Sequence, residues 1–266
     1  MGISSRFIYD GPMKGICVPF LNCYACPTAV FGCPLGILQH FILSSMIPFY
    51  AIGIIGVFGL LLGRMFCGWV CPFGLLQELM FKLSRVEIKL PENLKYVKYA
   101  ILIIFVGLLT FITGQPWFCI FCPAGTLEAG IPWLIMDPIN PADGQPVVIA
   151  DFIGTLFYIK IFILVTLSAL FVVSKQPFCK MFCPLGAIFS LFNRVSLVNI
   201  AYKRSCKKCN ACEPRCVMGI AHADRIHSKE CIRCLRCTEC KNVYLKVLTK
   251  DMDAVPGQTL DVTRVI

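Results

Sequence analysis

Charge is what this sequence has least of. Only 15% of its 266 residues are Asp, Glu, Lys or Arg, against about 25% in a soluble domain. Hydrophobic residues make up 57%, against roughly 45–50%, so an ordinary soluble chain is excluded. Residues 1–16 lack the apolar run of a signal peptide, and no cleavable signal is expected there. Lys and Arg are missing altogether from 115–149, which marks that loop as extracytoplasmic under the positive-inside rule. The net charge of +10 comes without any recognition-helix pattern, which excludes nucleic acid as partner, and nothing suggests a hydrolase.

Cysteine, by contrast, is abundant. Eighteen are present, yet a secreted disulfide scaffold is short and has no long apolar runs. Sixteen of the 25 Lys and Arg follow residue 173, among ten of the cysteines. The first picture is therefore a membrane domain carrying a basic, cysteine-rich cytoplasmic module.

Three segments, about 44–63, 97–114 and 150–173, have the apolarity of membrane helices, which need about 20 residues. Pro48 is placed to kink the first. The loop with Arg64, Lys82, Arg85, Lys89 and Lys95, and the C-terminal part, are expected in the cytoplasm; the first 43 residues, with only Arg6 and Lys14, are expected outside. The N-terminus is then out and the C-terminus in, across a bacterial or archaeal cytoplasmic membrane. A fourth helix or re-entrant segment in 24–43 or 117–136 would alter this map.

One short unit, Cys-Pro-x-Gly, occurs four times beside the apolar segments, beginning at Cys33, Cys71, Cys122 and Cys183. Two copies extend forward as Phe-Cys-x3-Cys, with Cys67 and Cys179, and one as Phe-Cys-x2-Cys, with Cys119. Proline favours the first helical position, so each cysteine is expected at a helix N-cap, where free N–H groups and the helix dipole stabilise a thiolate or an anionic cluster. Cys67, Cys71, Cys179 and Cys183 fall on the inner side, the ligand count of a 4Fe-4S cluster. Cys17, Cys23, Cys26, Cys33, Cys119 and Cys122 fall outside. The shared x2 spacing favours Cys23 and Cys26 with Cys119 and Cys122; Cys33 and Cys17 are alternates, and the surplus pair could form a disulfide.

From 206 the chain reads Cys206-x2-Cys209-x2-Cys212-x3-Cys216, and after fourteen residues Cys231-x2-Cys234-x2-Cys237-x2-Cys240. In two-cluster ferredoxins three cysteines of one run join the last of the other. One cluster is then expected on Cys206, Cys209, Cys212 and Cys240, the other on Cys231, Cys234, Cys237 and Cys216. Val217 replaces the usual Pro, and the second run ends with x2. A structural zinc scaffold is the alternative, but paired triplets at x2 spacing suit a cubane better than two separate Cys pairs. Four clusters would account for sixteen of the cysteines.

The runs Arg64-Met-Phe-Cys-Gly-Trp-Val-Cys-Pro and Pro177-Phe-Cys-Lys-Met-Phe-Cys-Pro-Leu-Gly, with the terminal double cysteine run, resemble the NapH-like membrane ferredoxins over about 45–245. The resemblance implies an electron-transfer subunit between a quinone pool or cytoplasmic donor and an extracytoplasmic cytochrome or reductase, within a larger membrane redox complex. The outer cysteines depart from the nitrate-system member, so nitrate is not inferred. A quinol dehydrogenase or a metal reductase in its own right is the alternative.

The expected fold is an all-α membrane domain of three to four spans plus re-entrant Cys-Pro helices, with a small α+β two-cluster ferredoxin domain. The expected divisions are a cysteine-rich segment 1–43, the membrane domain 44–200, the ferredoxin domain 201–250 and a tail 251–266. Lys160, in the third span, is expected either near a membrane cluster, raising its potential, or snorkelling towards a partner. His40, Glu78 and Asp151 are candidates for a quinone site, although Glu78 is also spaced to pair with Lys82.

Overall fold

The computed structural model describes residues 15–26, 29–83, 88, 91–132, 154–203, 215–220, 228–240 and 242–247. Asp151, Cys206, Cys209 and Cys212 lie outside them. In chain order the described helices are α1 (Pro34–Leu43), α2 (Phe49–Leu62), α3 (Met65–Trp69), α4 (Pro72–Phe81), α5 (Asn93–Thr113), α6 (Trp117–Phe121), α7 (Pro123–Gly125, continued by a π-helical turn over Thr126–Gly130), α8 (Thr155–Val173), α9 (Pro177–Met181) and α10 (Pro184–Phe192), with a 3-10 turn over Arg236–Glu239. Two strands, β1 (Val198–Tyr202) and β2 (Val243–Val247), pair antiparallel with Val198 opposite Val247.

The Cys-Pro step sets four helix starts. Cys33, Cys71, Cys122 and Cys183 are the N-cap residues of α1, α4, α7 and α10, each in extended backbone with proline in the first turn. Proline costs nothing there, because its missing N–H would have no intrahelical partner. All four cysteines lie in one apolar core with Leu35, Phe73, Phe118, Phe171, Phe178, Leu185 and Phe189.

Two helices, α5 of 21 residues and α8 of 19, are long and apolar enough to cross a membrane. Only 17% and 11% of their most apolar windows are buried, and Phe111 and Phe162 are each 71% exposed. The core helix of a soluble protein would bury these faces; hydrocarbon is the solvent that suits them. The expected first span over 44–63 is instead the fourteen-residue α2, which begins after Pro48. At 1.5 Å per residue it extends about 21 Å, short of the roughly 30 Å hydrocarbon layer. The third begins at Thr155, after Gly154, rather than at 150. Among the described residues, then, two helices and not three to four reach spanning length.

Inside α5 the backbone loosens to a π-helix over Leu102–Leu108. Thr110 Oγ1 donates to the Phe105 carbonyl at 2.9 Å and accepts from Gln39 Nε2 at 2.9 Å, so the irregularity fastens α1 to α5.

The C-terminal module docks on the helical part through buried polar contacts. Arg233, 2% exposed, donates to the carbonyls of Leu62 (2.8 Å) and Asn193 (2.6 Å) and to Asn199 Oδ1 (2.8 Å). Asn193 Nδ2 donates to the Ser228 and Cys231 carbonyls, both at 2.9 Å, and Trp69 Nε1 to the Arg233 carbonyl at 3.1 Å. Gly63, at φ +56°, is the close point: a Cβ there would lie 2.6 Å from both Arg233 Nη1 and Asn193 Oδ1. Arg233 and Leu235 themselves have positive φ, a tight winding that turns 231–237 around their own sulfurs.

Candidate functional site

Among the described residues, cysteines form three groups of four. In the C-terminal module Cys216, Cys231, Cys234 and Cys237 line one small cavity with Ile200, Met218, Ile220 and Ile232. Cys240 packs beside it with Cys231, Cys237, Ile200 and Val243.

The second group is Cys67 on α3, Cys71 before α4, Cys179 on α9 and Cys183 before α10, all buried. Both halves close alike: Cys71 N donates to Phe66 O at 3.0 Å, and Cys183 N to Phe178 O at 2.9 Å. The repeated glycines leave room for this winding. A Cβ on Gly74 would lie 2.7 Å from the Cys67 carbonyl oxygen. Gln77, fully buried, ties the halves together, with Oε1 accepting from Phe178 N (3.1 Å) and Nε2 donating to Cys179 Sγ (3.4 Å).

The third group lines a cavity of about 200 Å³: Cys23, Cys33, Cys119 and Cys122, with Tyr24 and Lys160. Cys26, which the shared x2 spacing favours, is not among the residues that line it. A tight turn, Cys26 N to Cys23 O at 3.0 Å, sets Cys26 against Cys23, Ala29 and Ala129, while Cys33, the N-cap of α1, lines the cavity with the others. Cys17 forms a backbone bridge with Gly32 instead of lining the cavity.

A polar residue six positions after the Cys-Pro cysteine recurs in three copies, and sequence reasoning missed it. Gln39 Oε1 accepts from Cys119 N (3.3 Å), Gln77 Oε1 from Phe178 N (3.1 Å) and Glu128 Oε2 from Cys23 N (2.7 Å). Each copy thus holds the backbone at or beside a cysteine of the same group from another segment. Extending the repeat to Cys-Pro-x-Gly-x-x-Gln/Glu would have found all three; the fourth copy has Phe189 there.

The helix N-termini do pull these thiols down, through the N–H groups of Gly36 on Cys33, Gly74 on Cys71, Gly125 on Cys122 and Gly186 on Cys183. Burial outweighs them. Cys122 is pushed up to about 12, and Cys23, Cys179 and Cys231 to about 11, in each case first by burial. Burial thus opposes the expected thiolate, and ligation of a cation there would release the proton.

Four thiols per group, all of them buried in the inner group and two of four in each of the others, fit an iron-sulfur cluster. Next to Cys67 and Cys179, Arg64 Nε is buried with no hydrogen-bond partner among the described residues, a donor that an anionic cluster would satisfy.

Lys160 is on the outer cavity. Glu78 pairs with Arg236 of the C-terminal module and not with Lys82, and His40 is exposed near the end of α1. A second cavity of about 300 Å³ lies between α5 and α8 and touches Phe118 and Pro123 at one end and Phe178 and Phe182 at the other. Neither His40 nor Glu78 lines it, and Thr166 is its one polar side chain among the described residues.

The 4Fe-4S binding domain model matches the chain twice, over 45–91 and 156–203, each copy taking in one of the two Phe-Cys-x3-Cys-Pro units. An uncharacterized protein of Methanocaldococcus jannaschii is 33% identical over 222 residues, 79% of this chain and 83% of its own length. The ferredoxin-type protein NapH of Escherichia coli is 23% identical over 206 residues, covering 70% of this chain and 62% of NapH. The methylamine utilization ferredoxin-type protein MauN of Methylorubrum extorquens is 24% identical over 156 residues, 58% of this chain and 47% of MauN. No solved structure is significantly similar. The repeated cysteine units and these relatives agree: the chain belongs to the NapH-like family of 4Fe-4S ferredoxin-type proteins.

Proposed function

We propose that the protein is an integral-membrane electron-transfer subunit that relays electrons between a cytoplasmic ferredoxin module and an extracytoplasmic redox partner. Cys231, Cys234, Cys237 and Cys216 hold one ferredoxin cluster, and Cys206, Cys209, Cys212 and Cys240 the other. Cys67, Cys71, Cys179 and Cys183 hold an inner membrane cluster, and Cys23, Cys33, Cys119 and Cys122 an outer one. Iron-sulfur centres supply one-electron chemistry; the chain's part is to hold them close in a dry surround.

The observation that carries this reading is the continuity between sites. Cys67 of the inner group packs in one apolar cluster with Val217, Met218 and Ile232, against Cys216 and Cys234 of the ferredoxin group. On the other side, Phe118 borders both the outer cavity and the apolar cavity that reaches Phe178, next to Cys179. From Lys160 at the outer cavity to Val173, α8 extends about 20 Å at 1.5 Å per residue, so the two groups are separated along the direction in which that helix would cross. The multi-pass placement, with the C-terminus inside, rests on α5, α8 and the distribution of Lys and Arg.

The test is iron and acid-labile sulfide per chain on anaerobically purified protein, with EPR during stepwise reduction. About sixteen irons are expected from four four-iron sites. Cys33→Ser should remove about four and Cys26→Ser none. About eight irons, insensitive to Cys33→Ser and to Cys67→Ser, would leave a ferredoxin with no membrane clusters and refute the relay.

A further inference from the structure

Arg64 and Lys98 are both fully buried, and both reach the same carboxylate. Arg64 Nη1 donates to Glu230 Oε2 at 2.7 Å, and Lys98 pairs with that same oxygen. Arg64 Nη2 also donates to the Cys179 carbonyl at 3.0 Å. The positive charges of both residues act on Cys67 and Cys179. Two cations against one carboxylate leave a net positive charge beside four thiols, away from water. One cation would suffice to neutralise Glu230, and Arg64 Nε has no partner among the described residues. Glu230 directly precedes Cys231, so the pair with Arg64 ties the first cysteine of the ferredoxin run to the inner group.

We infer, resting on the assignment of Cys67, Cys71, Cys179 and Cys183 to a cluster, that Arg64 and Lys98 are positioning residues that raise that cluster's reduction potential, and that Glu230 opposes them. Reduction adds one negative charge at the inner group. Arg64 and Lys98 favour that added charge through a medium in which attraction is weakly screened, and charges and hydrogen bonds around a cluster are established determinants of its potential. Glu230 has the reverse effect on both neighbouring sites. The arrangement makes the inner group an electron acceptor at the junction, its bias set by groups that no cysteine spacing reveals.

The experiment is an EPR-monitored redox titration of the full-length protein in detergent, with iron and sulfide counted on the same samples. Arg64→Gln and Lys98→Gln should each lower the reduced-to-oxidised ratio of the inner cluster at fixed potential by about tenfold, equal to about 59 mV for a one-electron couple. Glu230→Gln should shift it the other way, and Arg64→Lys should stay near wild type. If Arg64→Gln fails to retain iron, Lys98→Gln and Glu230→Gln carry the test through their opposite signs. Full iron content with unshifted potentials, or shifts of the same sign in Lys98→Gln and Glu230→Gln, would overturn the inference. Full iron and an unchanged EPR signal in Cys67→Ser/Cys179→Ser would instead overturn the cluster assignment beneath it.

Discussion

The glycine of each Cys-Pro-x-Gly unit offers a graded perturbation whose size is set by what a single methyl group would meet. On Gly74 a Cβ would lie 2.7 Å from the Cys67 carbonyl oxygen, a backbone atom held by the turn between the two cysteines. On Gly125 the nearest atom is Cys23 Sγ at 3.4 Å, an ordinary contact, and on Gly186 it is Arg64 Nη2 at 3.3 Å. Alanine in a helix is favoured over glycine by up to about 1 kcal/mol, whereas overpacking a core costs about 1–3 kcal/mol. Gly125→Ala should then be neutral within about 1 kcal/mol, and Gly74→Ala destabilising by a net ~1–2 kcal/mol, a factor of roughly 5–30 in the folded population. Gly186→Ala should fall between. The assay is the thermal midpoint in detergent together with the EPR signal of the inner group, which Gly74→Ala should diminish selectively. Equal losses for Gly74→Ala and Gly125→Ala, or none for Gly74→Ala, would refute the argument that backbone closeness is what requires glycine here.

Gln77→Leu removes the acceptor for Phe178 N and the donor to Cys179 Sγ; a buried N–H left unpaired costs about 1–3 kcal/mol, so the inner cluster should be lost at lower temperature, as EPR would show. Asn193→Ala deletes the bonds to the Ser228 and Cys231 carbonyls and should make the C-terminal module more susceptible to limited proteolysis, with Cys67, Cys71, Cys179 and Cys183 still holding their irons. Glu78→Gln, which breaks a partly exposed pair with Arg236, should change the thermal midpoint by no more than about 1 kcal/mol equivalent. Because burial raises the thiols, ligation must displace protons. Rebuilding the clusters from apoprotein, iron and sulfide should therefore be more complete at pH 8.5 than at pH 6.5; absorbance near the cluster bands follows it, and no pH dependence would contradict the raised thiols.

The sequence by itself determined the local geometry and the chemistry. A Cys-Pro step places a sulfur at a helix start because proline's ring presets the first helical residue, and the four helix starts at Cys33, Cys71, Cys122 and Cys183 follow from that alone. The length of α8 is likewise local, a run of apolar residues long enough for hydrocarbon. The short α2 shows where such reading ends: the apolar composition continues through 44–63, but the proline and the turn before it decide how much is helix. Which sulfurs meet was decided only in three dimensions. The shared x2 spacing favours Cys26 over Cys33, yet Cys33, which caps α1, lines the outer cavity while Cys26 packs against Cys23, Ala29 and Ala129. Glu78 looks paired with Lys82 along its helix, yet Arg236, 158 residues away, reaches it. Arg64, Lys98 and Glu230 share no motif at all. Spacing along a chain constrains groups within a helical turn of one another, whereas a buried charge is placed by whichever distant segment packs against it.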